Sequence, residues 1–264
     1  LTTEDRERAM EMAEAVDACN AERRGIQDKI FKEAAEMGDA HEDHEGRRAV
    51  VLAKEGWHPG VLGIVASKLV ERYHRPAILL SIEDGVAKGS ARSIRGFKLV
   101  QHLRELEGYL DKYGGHDHAA GLTLSVDRLD AFREALEGRA REALSSEQLV
   151  PRLRVDAEAS LDAVNWDMVR DLDALEPYGM GNPEPSLLAC GVRVLEARVV
   201  GKDRTHLKLT LDAGEGPLDA IAFGMADIAP RPGDRVDLVY VPEPNTYRGR
   251  TTLQLKVKAM RAAG

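Results

Sequence analysis

Cysteine is nearly missing from this 264-residue sequence: Cys19 and Cys190 are the only two, in unrelated surroundings. That excludes a disulfide framework and a cysteine zinc site, and makes a reducing, cytoplasmic setting the expectation. Apolar runs are short as well. None reaches the ~18–20 residues that span a bilayer, and the start shows no signal-peptide pattern, so no membrane partner is expected. Aromatic residues make up only 5% of the chain, which confines any surface that works by stacking to a few positions. An excess of positive charge is also lacking. The formal net charge of −8 argues against a uniformly basic nucleic-acid binder. What is present is a globular balance of 43% hydrophobic and 31% charged residues, in a length that suits two compact units plus connecting structure.

The acidity is unevenly spread. Residues 1–46 carry a net −8 and residues 122–190 a net −7. Residues 47–121 hold twelve Lys and Arg against eight Asp and Glu, and residues 191–264 hold twelve against nine. Two positive blocks in an acidic chain suit an anion-binding face, although acidic helices that merely solvate themselves would give the same average.

Thr2 or Thr3 reads as an N-cap, with Glu4 and Asp5 at the positive end of a helix dipole. Apolar Ala9, Met12, Ala13, Val16, Cys19, Ile26 and Ile30 then approximate helical spacing. They predict one long helix to Met37 that ends at Gly38, followed by a polar linker over 39–46. From Arg47 the pattern alternates. Strand 49–54, helix 60–73, and strands 76–82 and 86–92 around the turn Glu83-Asp84-Gly85 come first. A helix marked by Phe97, Val100, Leu103 and Leu106 follows, then a glycine-rich turn at Gly114-Gly115, strand 122–125 and helix 127–144. Such alternation predicts an α/β unit.

Beyond Pro151 strands dominate: 152–157, then a helix over 161–175, then strands 187–200, 206–211, 218–223, 235–242 and 251–259. Leu207, Leu209 and Leu211 alternate with Lys208, Thr210 and Asp212. Five strands with a long first one, in about eighty residues, suit a small closed barrel of OB type. A β-sandwich would fit the count nearly as well. The expected fold class is α/β plus β, with a connecting helix and linker over 1–46, an α/β domain over 47–145 and an OB-fold-like barrel over 146–264.

Three stretches could carry chemistry. In Tyr113-Gly-Gly-His-Asp-His-Ala-Ala-Gly121, Gly114 and Gly115 let a ligand approach the backbone, and His116 stands ready to donate to an anionic oxygen. In Lys88-Gly-Ser-Ala-Arg-Ser-Ile-Arg-Gly96, strand alternation puts Ser90, Arg92 and Ile94 on one face and Ala91, Ser93 and Arg95 on the other. A hydroxyl beside a guanidinium fork suits a phosphate. In Gly56-Trp-His-Pro-Gly-Val-Leu-Gly63, His58 lies at a strand-to-helix turn whose helix N-terminus could hold an anion, while Trp57 and His58 could equally seal an interface.

Taken in this order, Trp57-His58-Pro59-Gly60, His74-Arg75-Pro76, Gly89-Ser90-Ala91-Arg92-Ser93 and Gly114-Gly115-His116 resemble the DHHA1 domain of the DHH phosphoesterase superfamily. Pro177-Tyr178-Gly179, followed by Gly181-Asn182-Pro183-Glu184-Pro185, is similar to a signature of the bacterial RecJ family of single-stranded-DNA-specific 5′→3′ exonucleases. The resemblance covers essentially the whole chain and implies a connecting helix, a DHHA1-type α/β domain and an OB-fold domain. It also implies that catalysis lies elsewhere, on Mn²⁺ or Mg²⁺ held by an N-terminal DHH domain, because no Asp-His-His occurs here. No catalytic residue and no metal is therefore expected in this chain. His41 and His44 are spaced three apart, unlike a zincin pair, and are not expected to bind one.

By the same resemblance Ser90, Arg92, Gly114, Gly115 and His116 would grip phosphate near the 5′ end, with Lys88 and Arg95 of second rank. The barrel offers Lys202, Arg204, His206, Lys208, Tyr247, Arg248 and Arg250 to a single strand. Asn182 would be an architectural joint. The implied partners are single-stranded DNA, the DHH domain and a single-strand-binding protein. A phosphodiesterase of short oligonucleotides or cyclic dinucleotides, or a pure protein-interaction module, are the competing readings.

Overall fold

The computed structural model describes residues 2–40, 46–179 and 181–264, so His41 and His44 lie outside the described residues. It divides into two compact units, Leu1–Pro151 and Arg152–Gly264.

The first unit opens with α1, Arg6–Asp39. Its N-cap is Asp5 rather than Thr2 or Thr3, because the Asp5 carboxylate accepts the backbone N–H groups of Glu7 and Arg8 at 3.0 and 3.2 Å. Met10, Met12 and Val16 in its first half are exposed; burial begins at Gln27 and continues through Ile30, Ala34, Ala35 and Gly38. These pack on α2, Pro59–Tyr73, which His58 caps by accepting the Gly60 N–H on Nδ1. Glu33 of α1 accepts from Lys54 Nζ and Trp57 Nε1, and this pairing lowers its pKa.

Five strands follow the order β1-β2-β3-β5-β4. They are β1 Val50–Glu55, β2 Ala77–Glu83, β3 Val86–Arg92, β4 Lys112–His116 and β5 Ala119–Ser125. β1 and β2 are parallel, joined by α2, and the other pairs are antiparallel. One sheet face buries Ile78, Leu80, Ala91, Leu122 and Leu124 with residues of α3 (Leu99–Glu105) and α4 (Leu129–Ala143), Leu103 and Phe132 among them. The other buries Leu52, Ala77 and Leu79 under Leu62, Val65 and Leu69 of α2.

Two expectations for this unit are corrected. Gly114 and Gly115 form no turn but stand inside β4, paired with Gly121 and Ala120, and the hairpin turns at Asp117-His118. Strand alternation also stops at Arg92. The Ser93 N–H donates to the His118 carbonyl and its hydroxyl to the Phe97 carbonyl, so the chain bends and Ile94 enters the core on the opposite face.

Below that bend Phe97 stacks on His102 with ring centroids 4.1 Å apart. His102 Nδ1 is buried without a hydrogen-bond partner among the described residues, Glu105 Oε2 lying 3.6 Å away. Burial lowers the His102 pKa below its ordinary 6.5. The unfolded chain thus takes up this proton first, so stability is full above pH 6.5 and falls as the pH drops through the depressed folded value. Denaturant midpoints measured from pH 7.5 to 5 should decline, and His102→Leu should flatten that part of the decline.

The second unit contains β6 Ala157–Glu158, α5 Trp166–Asp173, β7 Leu187–Val200, β8 His206–Asp212, β9 Pro217–Ala222, β10 Arg235–Tyr247 and β11 Arg250–Ala262. The order β10-β11-β9-β8-β7-β6, with β10 also paired to β7, closes β7–β11 into a five-stranded OB-like barrel. Leu207, Leu209, Leu211, Ala220, Leu238, Tyr240 and Leu255 fill it. The buried Tyr240 hydroxyl donates to the Ala159 carbonyl, and burial pushes its pKa up to about 12.

Three predicted elements differ here. The strand over 152–157 shrinks to β6, since Asp156 is held separately by Ser186 through backbone and carboxylate. The helix over 161–175 breaks into a turn at Leu161–Ala163 and α5, because Asn165 accepts the Met168 N–H and restarts the helix. β10 runs on past Pro242 and Pro244 because its pairing with β7 ends at Tyr240, leaving a free edge where a missing N–H costs little.

Candidate nucleic-acid interface

Strand register decides which side chains of the first unit share a face. Lys88, Ser90 and Arg92 of β3 alternate with buried Ala87 and Ala91, and so point to the α2 side. Gly63 of α2 permits this: a Cβ there would lie 2.9 Å from Arg92 Nη2 and 3.6 Å from Ser90 Oγ. Partner for partner across the sheet, Arg92 meets Ala119 and then His116; Ser90 meets Gly121 and then Gly114; Lys88 meets Thr123 and then Lys112.

The result is a trough with a floor of Gly114, Ala119 and Gly121. Arg92 stands on one wall and His116 on the other, two strand spacings or about 10 Å apart. A Cβ on Gly114 would meet nothing within 4 Å, so the floor is open. Gly115 points the other way: at φ +145° its Cβ would strike the Ala119 carbonyl oxygen at 2.3 Å.

Polar groups in the trough are unspent. Among the described residues Arg92 donates only to the Ala91 carbonyl, and no carboxylate pairs with it or with Lys88. His116 Nδ1 accepts the His118 N–H at 3.3 Å. Arg95, exposed past the end of β3, is not drawn into these rows. Lys112 and Thr123 are, and sequence reading passed over both; the alternation of β4 and β5 about the Asp117-His118 turn was the signal that carried them.

On the barrel, His206 and Lys208 of β8 point outward with Ile221 of β9, and the register sets Lys208 beside Arg198 of β7 and Ile221 beside Lys256 of β11. The β10–β11 hairpin brings Tyr247, Asn245, Arg250 and Thr252 to the same face, where with Lys208 and Asp219 they line an open cavity of about 540 Å³. Arg248 lies over the Tyr247 ring at 5.3 Å. Lys202 and Arg204 occupy the β7–β8 loop and do not line that cavity. His206 Nδ1 accepts the Gly224 N–H, and its ring meets Phe223 edge-on at 5.2 Å. Phe223 is 54% exposed, an aromatic that sequence reading took only as the end of a strand.

Among the described residues no three His, Cys, Asp or Glu side chains converge on a point that could hold a metal ion. The described residues therefore do not fit a two-metal phosphodiester site. No helix among them is long and apolar enough to cross a membrane.

Family models for the DHHA1 domain and the RecJ OB domain match residues 46–142 and 155–259, one in each unit. The single-stranded-DNA-specific exonuclease RecJ of Bacillus subtilis is 37% identical over 262 residues, 98% of this chain. The chain carries a DHHA1 domain and a RecJ OB domain. RecJ of Dickeya dadantii is 35% identical over 98% of the chain. A crystal structure of Thermus thermophilus RecJ in complex with Mn²⁺ superposes over 100% of the chain with a TM-score of 0.81 at 28% identity, and one in complex with Mg²⁺ gives the same score at 27%. The chain spans 33% and 46% of the two curated RecJ sequences, and 38% of the Mn²⁺-bound RecJ chain.

Proposed function

We propose that this chain is the single-strand-binding part of a RecJ-type, metal-dependent 5′→3′ exonuclease that acts in DNA repair and recombination. It positions the 5′ end and the backbone phosphates for a DHH catalytic domain outside the chain. The observation that carries the reading is the glycine-floored trough, in which the part-buried Arg92 guanidinium has no carboxylate partner among the described residues and the floor at Gly114 is open. A part-buried guanidinium with free donors is matched by a phosphate, to which it can give two parallel hydrogen bonds. Ser90 adds a hydroxyl beside it, His116 a ring nitrogen opposite, and Gly114 a close backbone approach. These groups orient the strand and stabilise developing charge rather than supply a nucleophile. On the barrel, Lys208, Arg250 and neighbouring cations take phosphates and Tyr247 a base.

The test is fluorescence anisotropy of this chain with a 5′-phosphorylated single strand, repeated with Mn²⁺ present and followed by gel analysis. Binding without cleavage is expected, and about four phosphate contacts would give a log–log salt slope near −3. Robust metal-dependent degradation would overturn the reading. In the intact enzyme, Ser90→Ala with Arg92→Ala should reduce the preference for a 5′-phosphate about tenfold or more, because a charge-assisted hydrogen bond is lost. An unchanged preference would remove the trough from end recognition.

A further inference from the structure

We propose that Asp219 is a built-in competitor for backbone phosphate, holding Lys208 of the barrel groove in reserve and setting the affinity for single strands below what the cations alone would give. The inference rests on the groove being a single-strand site, and it adds an element that weakens binding by design. Asp219 stands on the outward face of β9, directly opposite Thr210 of β8. Its Oδ2 lies 2.9 Å from Lys208 Nζ, and its Oδ1 accepts the Thr210 hydroxyl at 3.5 Å.

Both partners remain reachable, at 32% side-chain exposure for Lys208 and 41% for Asp219. Both line the same open cavity as Arg250, Tyr247, Asn245 and Thr252. Asp219 is the one carboxylate among the residues that line that cavity; Glu196 and Glu243 stand farther along the same cross-sheet row, beyond Thr210 and Gln254, and do not line it.

The physics follows from its placement. A half-exposed ion pair of this kind contributes little to stability, so a phosphate displaces the carboxylate from Lys208 at small cost. The displaced carboxylate stays in the groove, however, and repels the phosphate that took its place. While Asp219 stays beside it, Lys208 also neutralises less of a strand's phosphate charge, so fewer cations are released from the strand and the salt dependence of binding is blunted. A groove with its own counter-charge lets go of a strand more readily, which suits a strand that must advance through it.

The experiment compares the unaltered chain with Asp219→Asn, Lys208→Ala and the double variant, by anisotropy with an unstructured single strand across a salt series. Asp219→Asn should tighten binding about three- to tenfold at low salt. Its slope should steepen by about 0.7, one added phosphate on a single strand. Lys208→Ala should weaken binding modestly in the unaltered chain, where Asp219 already offsets part of its charge, and by a clearly larger factor when combined with Asp219→Asn. Asp219→Ser should tighten as well, since the charge and not the amide shape is what is removed. Equal or weaker binding by Asp219→Asn, with an unaltered melting curve, would overturn the proposal and make Asp219 a support that aims Lys208. If the unaltered chain binds no single strand, the underlying reading falls and takes this inference with it.

Discussion

Glu137→Ala is expected to lower the stability of the first unit by about 3 kcal/mol, among the largest effects of any single polar substitution in the chain. The Glu137 carboxylate, 9% exposed on α4, accepts the Arg48 N–H on both oxygens at 3.1 and 3.0 Å, the Ala49 N–H at 3.0 Å and Arg141 Nε at 2.8 Å. It thereby closes the N-terminal end of β1, where the ladder to β2 supplies no acceptor for these groups, and ties that end to a helix almost ninety residues on. Alanine removes the acceptor and leaves two backbone N–H groups buried and unpaired, each costing about 1–3 kcal/mol. Glutamine keeps one oxygen and should cost roughly half as much. Urea titrations followed by far-UV circular dichroism check this, with the midpoint falling and the slope unchanged. A loss below about 0.5 kcal/mol would mean that water replaces the carboxylate and that the clamp is not what holds β1.

Nothing in the sequence marked Glu137. It sits in an ordinary charged helix, and its role depends on a contact with residues 48 and 49 that local pattern does not encode. Where local pattern suffices, sequence and structure agree closely. β3 was expected over 86–92 and β7 over 187–200, and both occupy those residues: β3 alternates small apolar Ala87 and Ala91 with polar Lys88, Ser90 and Arg92 after the Asp84-Gly85 turn, and β7 is rich in valine and leucine. The small closed barrel of OB type was legible from strand number and alternation, although which strands meet to close it, β10 and β7, was not.

Misreadings arose where tertiary pairing overrode propensity. Gly114-Gly115 has the composition of a turn, yet five residues of pairing with β5 make it a strand. Ile94 continues the alternation of β3 on paper, but an apolar side chain is worth more inside the α3–α4 core than on an open face. The candidate site was half legible. Ser90, Arg92, Gly114 and His116 were named and do share a face, whereas Lys112 and Thr123 join them only through register, and Asp219 only through the pairing of β8 with β9.

The same register separates two glycines of the trough region by what each is for. Gly114→Leu should leave the fold intact, or stabilise it by up to about 1 kcal/mol, because a strand glycine is entropically costly and leucine restores a side chain. Its backbone is not in the left-handed region, and a Cβ there meets nothing within 4 Å. The branched side chain would instead stand on the floor beside His116 and across Gly121 from Ser90, where a phosphate would approach, and should weaken binding of a 5′-phosphorylated strand about tenfold or more through lost approach. Gly89→Ala should do the reverse. A Cβ there would sit 1.8 Å from the Leu79 carbonyl oxygen, inside the ladder between β2 and β3, so the strands must part; the expected loss is about 3 kcal/mol or more. Melting curves and anisotropy on both variants decide the matter together. If Gly114→Leu melts early yet binds normally, that glycine serves the strand rather than the strand's ligand. If Gly89→Ala is as stable as the parent, the close approach of β2 to β3 relaxes at no cost. The expected pattern, one variant stable and poor at binding and the other unstable, would identify Gly114 as a position whose missing side chain is reserved for something outside the chain.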